Sequence, residues 1–225
     1  MLCINATSNF ALKGLFAQKT AIGPSGAAIA IAFLAVNFAA TCALVHICTG
    51  WQHIGLTLRG SLRSALILAP MFAGIIFFTP WGGDALHPWF LVAACFASLN
   101  AGIGEELIVR GMMQHMLGGL RYPWLSVVGG SCFFGLSHLG NIFLGVLIQA
   151  VLVQVVATAI IGLSWAVARA ISGTLIPGMI AHFLFDYSPS FSSSHGTFLL
   201  GTSLGLGPGF IELMYAPIAL LGYWL

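Results

Sequence analysis

The apolar residues of this chain come in continuous runs. Several of them approach or exceed the roughly 20 residues that cross about 30 Å of hydrocarbon as a helix. A segment in lipid must satisfy its own backbone, which leaves only helical bundles and closed β-barrels. Barrel strands alternate with a period of two, and these runs do not. The expected fold class is therefore all-α: a polytopic transmembrane bundle of about seven helical segments, with any active site buried between helices. Composition agrees, since 59% of the residues are apolar and only 5% charged, against about 25% charged in an ordinary soluble domain. So little charge cannot coat a water-facing surface. The net charge of +2 carries no sign of a nucleic-acid partner.

Two units are expected: an N-terminal segment over residues 1–26 and a single transmembrane domain over 27–225. Lys13 and Lys19 among Phe10, Leu12, Leu15 and Phe16 suggest a short interfacial helix. Asn5, Thr7, Ser8 and Asn9 interrupt any signal-peptide core. The segments are Ala27 to Thr49, Ser61 to Thr79, Trp89 to Leu120, Pro123 to His138, Ile142 to Val167, Gly173 to Tyr187 and Thr197 to Trp224. As one straight helix, Trp89 to Leu120 would run about 48 Å, longer than a bilayer is thick, so a break is expected near Asn100, Gly102 and Gly104. Arg59, Arg63, Arg121 and Arg169 fall in alternate connectors, which the positive-inside rule assigns to the cytoplasm. Seven spans would then leave the N-terminus outside, against the pull of Lys13 and Lys19; the connectors carry more weight. Trp51, Trp81, Trp89, Trp124 and Trp224 sit near span ends, as interfacial anchors do. The cysteines show no paired metal spacing and read as small packing residues.

Against this background the polar residues inside the spans stand out. Glu105 and Glu106 are two of only five acids in the chain, and an acid in a membrane span costs roughly 2.5 to 3.5 kcal/mol on insertion scales. Glu106 and Arg110 are four apart and can pair on one helical face. Glu105 points about 100° away and is left free to do chemistry. A second cluster is Phe134-Gly135-Leu136-Ser137-His138, and a third is His182-Phe183-Leu184-Phe185-Asp186, with Asp186 one turn from His182. Counted from the turn at Arg121, Glu105 lies 16 residues before and His138 17 after, so both stand roughly 24 to 26 Å from it. His182 lies 13 residues beyond Arg169, or roughly 20 Å. Three helices thus bring Glu, His, and His with Asp to a similar depth.

The order Glu-Glu-x-x-x-Arg, Phe-x-x-x-His and His-x-x-x-Asp in a small polytopic protein resembles the CPBP intramembrane proteases, the type II CAAX prenyl endopeptidases and their bacterial relatives, also called the Abi family. The resemblance covers about residues 89–190. It implies that Glu105 is the general base, that His138 helps to activate a water, and that His182 and Asp186 stabilise the oxyanion. Glu106 and Arg110 would brace the site. Eukaryotic members carry Asn where this chain has Asp186; an ionised Asp cannot donate a hydrogen bond, so Asp186 is either protonated or orients the His182 imidazole. The resemblance also implies a multi-pass protein of the bacterial cell membrane, with no cofactor.

The residues admit other uses. Glu105, His138, His182 and Asp186 could ligate zinc, with metal-bound water as nucleophile; the absence of a His-Glu-x-x-His helix and the resemblance favour the metal-free glutamate mechanism. A transporter could relay protons through the same groups, but no inverted repeat is visible. A noncatalytic scaffold or immunity protein on a protease-like fold is a third reading. Ser137 beside His138 does not make a serine protease, because helix neighbours diverge and no acid orients the pair. His46, His53 and His115 read as ordinary polar residues, and Glu212 as a residue near the interface. The expected partner is a membrane-associated peptide or protein, with or without a lipid, and no segment reads as a peptide-selecting domain.

Overall fold

A computed structural model describes residues 23–78, 88–119, 122, 124–143 and 145–188. The interfacial helix expected over residues 1–20, the segment from Thr197 to Trp224, Arg121 and Glu212 lie outside the described residues. Seven continuous helices occur among the described residues: α1 (Pro24–Cys48), α2 (Ser61–Ile67), α3 (Ala69–Phe78), α4 (Pro88–Gly118), α5 (Trp124–Ile142), α6 (Ile148–Ser172) and α7 (Ile176–Tyr187). No strand is found there. Four of them, α1, α4, α5 and α6, are long and apolar enough to cross a membrane, so the chain is a helical bundle of the integral-membrane kind.

The helix ends follow from local chemistry. Pro24 opens α1, where a missing N–H matters least. Gly173 closes α6 in the left-handed conformation (φ +77°), its N–H donating to the Arg169 carbonyl, which only glycine does without strain. At Gly60 (φ +83°) any Cβ would collide with the Ser172 carbonyl. The loop between α1 and α2 therefore lies against the turn from α6 to α7, and Thr174 Oγ1 donates to the Thr57 carbonyl at 2.5 Å. This contact brings Arg59 and Arg169 to one end of the bundle.

The core that surrounds the site joins Met71 and Ile75 of α3, Ile108 and Val109 of α4, Phe134 of α5, Ile161 and Trp165 of α6, and Ala181 and Phe185 of α7. Trp51, Trp89 and Trp124 are between 36% and 42% exposed, consistent with anchoring at span ends. Trp81 and Trp224 lie outside the described residues.

Three expectations need correction. The segment from Ser61 to Thr79 is two helices divided at Leu68. Pro70 two residues on has no N–H to donate and crowds the turn before it. The path stays nearly continuous, with Leu68 N–H donating to Ser64 and Phe72 N–H to the Leu68 carbonyl. The fifth and sixth segments begin later than expected, at Ile148 and Ile176, because His138–Ile142 extends α5 as a tight 3-10 turn and Arg169 belongs to the last turn of α6.

The third correction concerns α4, which is not broken near Asn100, Gly102 and Gly104 but runs unbroken from Pro88 to Gly118. These residues serve close packing. Asn100 Nδ2 donates to the Leu34 carbonyl of α1 at 2.6 Å, and a Cβ on Gly102 would lie 2.6 Å from the Phe183 nitrogen of α7. The irregularity falls one turn later, as a π-helical stretch over Leu107–Met113, where Gln114 N–H reaches the Val109 carbonyl five residues back. Such stretches are frequent at functional sites.

Candidate active site

The π-helical stretch begins just after the Glu pair and contains Arg110. The expected pair forms: Arg110 Nη1 donates to Glu106 Oε1 at 2.8 Å, with both side chains almost fully buried. Arg110 Nη2 donates to the Gly162 carbonyl at 2.9 Å, and a Cβ on Gly162 would collide with this guanidinium. The guanidinium carbon also stands 4.4 Å from the Phe134 ring centre and 5.2 Å from that of Trp165. One cation is thereby held by a carboxylate, a carbonyl and two aromatic faces.

His182 enters from α7 and is 3% exposed. Its Nδ1 lies 3.1 Å from Glu106 Oε1. A carboxylate can only accept here, so Nδ1 carries the proton and Nε2 is turned the other way. On that side lie Asp186 Oδ2 at 3.5 Å and Glu105 Oε2 at 3.8 Å. Glu106, from another helix, thus holds Nδ1, and the one-turn neighbour Asp186 lies on the Nε2 side. Trp165 stacks on the ring at 4.1 Å and 22°, and Phe134 meets it edge-on at 5.8 Å.

His138 stands at the end of the regular part of α5. Its Nδ1 is 2.9 Å from the Phe134 carbonyl and 3.5 Å from Thr158 Oγ1, whose own proton goes to the Gln154 carbonyl. Both neighbours accept, so Nδ1 is the donor and a neutral ring presents the Nε2 lone pair outward. Phe134 touches this ring as well, edge-on at 5.1 Å. Among the described residues His138 makes no ion pair with an acid, although the same phenyl ring contacts His138 and His182. Ser137 Oγ donates to the Phe134 carbonyl at 2.7 Å.

Glu105, Glu106, Arg110, His182 and Asp186 thus share one cluster, with His138 one aromatic ring away. Exposure grades across it: the Glu106 side chain is 1% exposed, Glu105 12% and Asp186 33%, so the cluster opens on the side of Asp186. Among the described residues, no three His, Cys, Asp or Glu side chains are grouped so as to hold a metal ion. Sequence reasoning did not single out Thr158, Gly162 and Trp165 of α6. Their spacing of four and three residues puts them on one helical face, a readable signal, although nothing in α6 alone says what that face meets.

The fold and this cluster define a membrane-type helical bundle with a buried centre of carboxylate, imidazole and guanidinium. Residues 87–188, a segment that contains α4 to α7 whole, match the family model described as type II CAAX prenyl endopeptidase, Rce1-like. The limits fall close to the 89–190 read from the motifs. Comparisons with curated proteins and with solved structures gave no match.

Proposed function

We propose that this chain is an intramembrane endopeptidase in which Glu105 activates a water without a metal ion. The orientation of His182 carries the reading: with Nδ1 held by Glu106, Nε2 is aimed into the space shared by Glu105 and Asp186. Water oxygen attacks the peptide carbonyl carbon while Glu105 takes its proton, and the outward Nε2 of His138 accepts a hydrogen bond from the same water. Protonated at Nε2 as well as at Nδ1, the His182 imidazolium donates to the oxyanion that forms, beside Asp186. Collapse of the tetrahedral species breaks the C–N bond, and Glu105 returns the proton to the departing amine. Glu106 and Arg110 stay paired throughout and keep His182 in place. The substrate is a membrane-associated peptide or protein that enters from the Asp186 side, and the bacterial cell membrane is the setting that the resemblance favours.

Purified full-length protein should cleave a membrane-anchored or C-terminally lipidated peptide in the presence of a strong chelator, and Glu105→Gln should not. Stoichiometric zinc, with activity lost on its removal and restored on its return, would overturn the metal-free mechanism in favour of the zinc alternative through Glu105, His138, His182 and Asp186.

A further inference from the structure

A second polar site lies where α1, α4 and α6 end and α5 begins. There the helices leave a cleft of about 840 Å³, lined by Thr49, His53, Arg110, Gln114, His115 and Arg169 among others. This is within the range of small-molecule sites. Seven buried side-chain N or O atoms lack a hydrogen-bond partner among the described residues, and four of them belong to residues of this cleft: Thr49 Oγ1, Arg110 Nε, Gln114 Oε1 and Arg169 Nε. Native proteins leave few such atoms unpaired, and four around one cleft point to an occupant.

The chemistry of that occupant follows from the donors. Arg110 and Gln114 are only 1% and 7% exposed. Gln114 Nε2 is fixed on the Ala166 carbonyl at 2.9 Å, which leaves Oε1 as an acceptor. Arg169 Nη2 reaches the His53 carbonyl at 3.4 Å and leaves Nε over. The exposed rings of His53 and His115 stack at 4.9 Å and 13°, adding two imidazole N–H groups from two elements. No Asp or Glu is among the described residues lining the cleft. Several cationic and neutral donors around a volume larger than a single ion, with one acceptor for a hydroxyl, suit an oxyanion of the phosphate class. We propose that this cleft binds a phosphate-bearing anion, either a lipid headgroup or a free phosphate. Its position beside the ends of α1 and α6, two of the membrane-length helices, is the level at which headgroups lie.

The test uses delipidated full-length protein in neutral detergent, titrated separately with dihexanoyl phosphatidic acid, inorganic phosphate and dihexanoylglycerol, read by calorimetry and by the unfolding midpoint. Saturable binding of either phosphate compound, with none of dihexanoylglycerol, is expected; preference for phosphatidic acid identifies a headgroup, and equal affinity a free phosphate. Arg169→Gln should weaken binding about tenfold or more. Because Arg169 also supports the loop at His53, His115→Glu is the second variant: it places an acid at the exposed wall, leaves the ligand-free midpoint unchanged, and should abolish binding. No saturable binding of either phosphate compound, equal binding of dihexanoylglycerol, or undiminished binding by a folded His115→Glu protein would overturn the proposal.

Discussion

The acid cluster and the cleft border the same residue from different sides. At the cluster, Arg110 is held by Glu106, Gly162 and two aromatic rings; at the cleft, its Nε has no partner among the described residues. The cluster repeats the contrast internally, because Glu106 is held by both Arg110 and His182 while Glu105, among the described residues, has His182 as its one ion-pair partner, at 3.8 Å. Polar groups that satisfy one another inside a bundle build the structure. Those left over are where a substrate or ligand completes the set, since a buried unpaired group costs about 1 to 3 kcal/mol.

That division is tested most severely by Glu105→Gln. If Glu105 is the leftover group that meets water, its neutral isostere should lower turnover by at least roughly a hundredfold, within the 10²–10⁴ attributed to a general base. The unfolding midpoint should stay where it is. A folded variant keeping more than a tenth of wild-type activity would move the base elsewhere.

Arg110→Ala should do the reverse. It strands a buried carboxylate, at a cost of about 3 to 5 kcal/mol, and should show first as a lower unfolding midpoint and poorer yield in detergent. Loss of turnover at unchanged stability would put Arg110 among the reacting groups and erase the distinction between the two carboxylates.

How much of this was readable beforehand depends on what lipid penalises. Glu105, Glu106, Arg110, His138, His182 and Asp186 announced themselves because polar groups in apolar runs are costly, and the rise per residue led to the expectation of a similar depth for three of them. The bridge from Glu106 to His182 was not readable, because it joins residues 76 apart through the packing of α4 on α7. Gly102 looked like a hinge and is a point of close approach, a difference set entirely by the opposite helix. Trp165 was hidden by ordinariness, and Phe134 stood out only as the first residue of Phe-x-x-x-His, since aromatic residues in an apolar chain carry no mark of what they stack on. The division at Leu68 did have its signal, in Pro70.

His182 lies between the two classes, with one nitrogen satisfied and the other turned toward the open side. His182→Ala should lower turnover by the equivalent of about 2.7 to 4 kcal/mol, the loss seen for one oxyanion donor, and should destabilise the fold less than Arg110→Ala does. If His182→Gln restores stability but not turnover, the imidazole contributes chemistry beyond filling the space beneath Trp165.

The smallest effect is expected at Asp186, where the metal-free and metal-dependent chemistries make opposite demands. The carboxylate is a third exposed and 3.5 Å from His182 Nε2, so it faces the open side, while the nearer carboxylate contact of the imidazole is Glu106 at 3.1 Å. An amide of the same shape removes the charge and supplies an N–H that can point at an oxyanion, which an ionised carboxylate cannot do. Asp186→Asn should therefore keep turnover within about tenfold of wild type, or less than roughly 1.4 kcal/mol of transition-state stabilisation. Single-turnover measurements with chelator present separate this outcome from its rival. If Asp186 were a metal ligand, the same substitution would weaken metal binding and leave the chelated enzyme inactive, and the leftover group at the mouth of the site would be part of a coordination shell.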